Sequence, residues 1–134
     1  MFSHDDQDLW ENMWDAHDKG FLIAASAGAT KASKQLLEEM GLIGFHSYGV
    51  LAVEEVDVAG EKERLIKLRN PWGLDSAEWT GEWCDDSDLW DARSMNKAKL
   101  DAKQDGVFWM AIEDFIDRFS YLYVCRIVND WKHN

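Results

Sequence analysis

Apolar residues recur at helical spacing near the start of the chain, where Leu9, Trp10, Met13, Trp14 and Ala16 share one face of residues 8–19 and Gly20 stands as a stop. Phe21 to Ala25 is a short apolar run suited to a strand. The small residues of SAGATKASK read as a loop, and residues 34–40 as one or two helical turns ended by Gly41. From Leu42 to Val56 the pattern alternates, with Ser47, Leu51 and Val53 opposite His46, Tyr48, Val50 and Val56, which predicts a long strand. The polar stretch DVAGEKE, turning near Ala59 and Gly60, leads into RLIKLRN, so the two runs form an antiparallel hairpin that ends at Pro71. Residues 72–105 lack a period and predict turns with a short helix. FWMAI, EDFIDRF and YLYVCRIV then read as strand, helix and strand. The expected fold is α+β: one domain over residues 1–134, with an antiparallel sheet of roughly five or six strands, barrel-like or split into two small sheets, and a few flanking helices.

Composition supports a folded core, with 46% apolar residues and eight tryptophans among 134 residues. The apolar face of the first helix reads as core packing, and its two tryptophans would be costly to leave wet unless another domain covers them. A formal charge of -12 makes nucleic acid and anionic membrane surfaces poor partners and favours cations or basic peptides. No apolar run approaches the roughly 20 residues of a spanning helix. Two cysteines fall short of a disulfide framework, so a cytoplasmic protein is expected.

His46 and Asn70 are brought to the same end of the sheet by the hairpin, within a few residues of each other across the ladder. Asn70 falls on the face of Ile66 and Leu68, where a polar amide requires partners. A Cys-His-Asn site uses these residue types: the imidazolium stabilises a thiolate and protonates the leaving amine, and the asparagine oxygen accepts the other ring hydrogen. Trp72 is placed by adjacency to shield that bond from water. Histidines in strands and asparagines before proline also serve structural roles, and spacing alone does not choose.

Four segments in order, GLIGFHSYGVLAVEEV, RLIKLRNPWG, EWTGEWCDDSDLW and DGVFWMAIEDF, resemble the consecutive signatures of calpain catalytic domains. The resemblance runs from about Leu9 to Val128 and corresponds to the second, C-terminal subdomain of the papain-like protease core. It implies His46 as catalytic base and Asn70 as its orienting partner. It also implies a nucleophilic cysteine in a first subdomain, a Q-G-x-C-W context that neither cysteine here occupies. Cys84 adjoins Asp85 and Asp86, which oppose a thiolate, and Cys125 sits in an apolar run, so both read as structural. His4, His17 and His133 show no metal-ligand spacing with them.

The same resemblance implies one calcium ion held by Glu78, Asp85 and Asp105 with the backbone carbonyl of Lys103, while a further acid common in the family is Val107 here. Calcium takes about 6 to 8 oxygen ligands, so the missing acid predicts a weak site. The implied parent is a calcium-dependent cysteine endopeptidase whose substrate protein lies in the cleft between two subdomains. The chain alone is expected to be inactive. The alternative is a non-catalytic calpain-like module that binds calcium or a partner protein, since function belongs to the assembled site and not to the scaffold.

Overall fold

A computed structural model describes residues 4–27, 38–39, 41–42, 47–70, 78–100 and 106–125. Among the described residues, the helices and strands with defined bounds follow in the order α1 (His4–Asp18), β1 (Leu22–Ala27), β2 (Ser47–Val58), β3 (Glu61–Arg69), α2 (Ala92–Ala98), β4 (Val107–Ala111), α3 (Ile112–Arg118) and β5 (Phe119–Cys125). The described strands form one antiparallel sheet in the order β4-β3-β2-β1-β5. The α+β expectation holds, and of the sheet arrangements left open, these strands adopt a single sheet.

The hairpin is tighter than its polar sequence suggests. Val58 pairs with Glu61, leaving a two-residue turn in which Ala59 and Gly60 both take positive φ, 51° and 85°. That geometry matches the right-handed twist of the strands, so most of DVAGEKE is ladder, with Asp57 and Lys62 exposed and Glu63 half-buried across from Val56. One bulge changes the faces of β2. Val50 pairs with Leu68 and Ala52 with Lys67, so Leu51 is an extra residue and the alternation slips by one. Val53 therefore joins Tyr48 and Val50 in one core cluster, and Val56 crosses to the other side. The uninterrupted alternation expected of this strand had Val53 and Val56 the other way round.

Each face of the β2–β4 region is packed. On one, α1 inserts Trp10, Met13 and Ala16 against Ile23, Val50, Val53, Ile66 and Leu68, and α3 adds Ile112 and Phe115. On the other, residues 79–100 fold back over the sheet so that Trp83 packs with Val56, Leu65, Trp109 and Ala111, and with the buried Ala98 of α2. Helix α2 is started by a reciprocal capping box: the Asp91 side chain accepts from the Ser94 N–H at 2.7 Å, while the Ser94 hydroxyl accepts from the Asp91 N–H at 3.0 Å. The β1–β5 end is barer, with Leu22, Tyr121 and Tyr123 more than half exposed.

Candidate functional site

Register at the open end of the hairpin positions the expected catalytic asparagine. Gly49 pairs with Arg69, so β3 ends one residue before Asn70, while β2 begins one residue after His46. The Asn70 N–H donates to the Gly106 carbonyl at 2.9 Å, which extends the β3–β4 ladder past its Arg69–Val107 pair. Asn70 is fully buried, in line with Leu68 and Ile66, and its Nδ2 is shielded from solvent. An amide carried this far inside on a strand end is held by packing and hydrogen bonding, which is what an orienting residue needs. His46, Trp72, Asp105 and Lys103 lie outside the described residues, as do residues 43–46 and 71–77 that carry two of them.

The tryptophan-rich stretch after Asn70 is a stapled loop. Trp79 donates its indole N–H to the Glu82 carbonyl at 2.8 Å, and Trp90 donates to the Cys84 carbonyl at 2.9 Å. Trp90 meets Trp83 edge to face with centroids 4.9 Å apart, and the Arg118 guanidinium lies over Trp79. The loop also abuts the chain that leads towards His46: Gly41 has φ +87°, and a β-carbon there would overlap the Glu78 carbonyl oxygen. Glu78 and Asp85 are both half-buried in this loop, with Glu78 Oε2 and Asp85 Oδ1 shielded from solvent. Two hard, desolvated carboxylate oxygens on a braced loop are the donor chemistry that calcium takes. Among the described residues, no three His, Cys, Asp or Glu side chains gather as a metal site. Val107 is a half-buried ladder residue at the start of β4.

Sequence reading missed a different meeting of acids. Burial raises the Glu63 carboxyl above its ordinary range, and Glu113, Glu82 and Glu61 raise it further. Burial likewise raises Asp114, opposed by Arg118 and reinforced by Glu82, Asp117 and Glu113. These residues come from β3, α3 and the tryptophan loop, and only the fold brings them together. Their only sequence signal is the excess of acid. Cys84 is half-buried against the core, as a structural thiol would be, whereas Cys125 is exposed at the end of β5 because that strand closes the sheet edge.

Comparison with known proteins gives these features a context. Residues 1–126 match the family described as "Calpain family cysteine protease". The chain is 40% identical over 114 residues to Calpain-8 of Homo sapiens, covering 83% of this chain and 16% of that protein. It is 38% identical over 120 residues to a calpain-type cysteine protease of Oryza sativa subsp. japonica, covering 89% and 5%. With the Calpain-1 catalytic subunit of Gallus gallus it shares 37% over 118 residues, covering 86% and 16%. The chain thus spans less than a fifth of the length of these relatives. With the match running from the first helix through the last described strand, the chain belongs to the calpain family of cysteine proteases.

Proposed function

We propose that this chain is the histidine- and asparagine-bearing half of a calpain-type, calcium-dependent cysteine endopeptidase, working with a cysteine-bearing first subdomain across a cleft that holds a protein substrate. The observation that carries the reading is the buried Asn70, fixed one residue beyond β3 by its N–H bond to Gly106, beside the strand that His46 leads into. His46 takes the proton of the partner thiol, and the thiolate attacks the scissile carbonyl carbon. The peptide C–N bond then breaks as His46 returns that proton to the leaving amine, leaving a thioester that water hydrolyses with His46 again as base. Asn70 accepts a hydrogen bond from the other ring nitrogen and holds the imidazole in line without adding charge. Trp72 covers that bond from water.

Glu78, Asp85, Asp105 and the Lys103 carbonyl would hold calcium, which supplies positive charge that lets loop carboxylates approach one another in a protein of net charge -12. Glu78 and Asp85 fit that role through their shielded oxygens. With Val107 in place of an acid, affinity falls in the range of about 10⁻⁴ to 10⁻³ M.

The test is reconstitution with a cysteine-bearing first subdomain from a relative. The chain alone is expected to show no peptide hydrolysis. In the complex, His46→Ala abolishes turnover and Asn70→Ala lowers it by orders of magnitude, with both variants folded. A calcium titration followed by tryptophan fluorescence gives one saturable transition, which is lost in Asp85→Asn with Asp105→Asn. Full activity in His46→Ala would instead favour the non-catalytic module.

A further inference from the structure

We infer that Gly106 is a positioning residue: its left-handed backbone aims the carbonyl that fixes Asn70, and through Asn70 it sets the orientation of His46. The inference rests on the His46–Asn70 assignment proposed above. Three observations carry it. Asn70 lies one residue beyond β3, past the last Arg69–Val107 pair with β4, and the next residue is Pro71, which has no N–H to offer the ladder. The Asn70 N–H is therefore the last backbone donor before that proline, and it goes to Gly106 at 2.9 Å. Gly106 in turn has φ +83° and is buried, one residue before β4 begins.

A residue with a β-carbon adopts that φ only under strain, and a buried residue has little room to relieve it by moving outward. The backbone would instead rotate towards a right-handed or extended conformation and carry the 106 carbonyl away from Asn70. Because the Asn70 side chain is itself enclosed, a shift of its backbone becomes a shift of its amide. A misplaced amide leaves the imidazole free to choose the wrong tautomer, so the effect of Gly106 on the site is geometric and acts on a ring that it need not touch.

The hairpin supplies a matched control. Gly60 has φ +85°, close to that of Gly106, but lies exposed in the turn at the opposite end of β2 and β3, where a β-carbon would meet nothing within 4 Å. Alanine at Gly60 introduces similar backbone strain without reaching Asn70.

The experiment uses the full 134-residue chain labelled with ¹⁵N, in which the Asn70 amide and the His46 ring nitrogens are followed by NMR. In Gly106→Ala, hydrogen exchange at the Asn70 amide is expected to rise about tenfold. The His46 ring shifts move towards those of Asn70→Ala. Gly106→Asn, whose side chain tolerates the left-handed region, restores both signals, and Gly60→Ala leaves both at wild-type values. A folded Gly106→Ala with wild-type Asn70 exchange overturns the inference, as does Gly60→Ala producing the same displacement. Should Gly106→Ala fail to fold, Gly106→Asn decides: wild-type exchange supports the role, and raised exchange in the folded protein removes it. If Asn70→Ala itself leaves the His46 ring unchanged, the His46–Asn70 assignment falls and the positioning role with it. An unchanged amide in Gly106→Ala removes the positioning role alone.

Discussion

A β-carbon at Gly81 would collide with the indole ring of Trp79, whose N–H is committed to the Glu82 carbonyl one residue further on. Gly81→Ala should therefore force the indole off its acceptor and cost about 1 to 3 kcal/mol of stability, measured by urea unfolding. Glu63 offers a test of opposite sign. Its carboxyl is raised first by burial and then by neighbouring acids, so the folded state holds that proton more tightly than the unfolded chain does. The stabilisation is fully present below the ordinary carboxylate pKa and is lost as pH rises through the raised folded value. Glu63→Gln should thus leave stability little changed in acid, raise the melting temperature at neutral pH, and flatten the profile between. An unchanged neutral melting temperature would show that the repulsion is screened by solvent. At this scale the strand pattern placed Asn70 in the phase of Ile66 and Leu68, and all three are buried. The convergence of Glu63 with Glu82 and Glu113 was invisible, since nothing local links residues that only tertiary packing brings together.

The elements show the same division between local and non-local information. The hairpin, the short helix within residues 72–105 and the strand-helix-strand close were legible because each is encoded over a few consecutive residues. The bulge at Leu51 was not. Two runs of good alternation flank it, and the slip between them depends on how β2 meets β3 rather than on any turn residue. Strand β1 also runs on through Ser26 and Ala27, which composition assigns to a loop, because they find partners in Tyr121 and Phe119. The turn between β2 and β3 makes the most direct prediction. Ala59 sits at φ +51° before Gly60, where asparagine followed by glycine is the preferred pair. Ala59→Asn should stabilise the hairpin by roughly 0.5 to 1 kcal/mol, read as a higher urea midpoint with an unchanged m-value. A lower midpoint would mean that this turn does not have the mirror-image geometry its dihedrals imply.

For the whole molecule, sequence and structure meet in the way one sheet serves two faces. Of the two tryptophans on the apolar face of α1, Trp10 is buried against the sheet and Trp14 stays 42% exposed, while Trp79, Trp83 and Trp109 are enclosed around the sheet. The calpain resemblance was legible because four motifs fall in order, and the family match extends over residues 1–126. The proposed calcium ligands were not derivable from spacing: Glu78 and Asp85 lie in the tryptophan loop, and Asp105 and Lys103 lie outside the described residues.

The sheet order also implies an order in time. Strands β2 and β3 are joined by a two-residue turn, whereas β1 must find β5 from the opposite end of the chain, a closure whose entropic cost is met only when most of the protein is already organised. The hairpin with β4 should form the folding nucleus, and the β1–β5 seam should zip last. Stopped-flow chevrons can read this directly. Leu65→Ala, at the centre of β3, should mainly slow refolding, and Leu122→Ala, on β5, should mainly speed unfolding. The sheet edge that carries Tyr121 and Tyr123 is then the last part of the protein to fold and the first to let go.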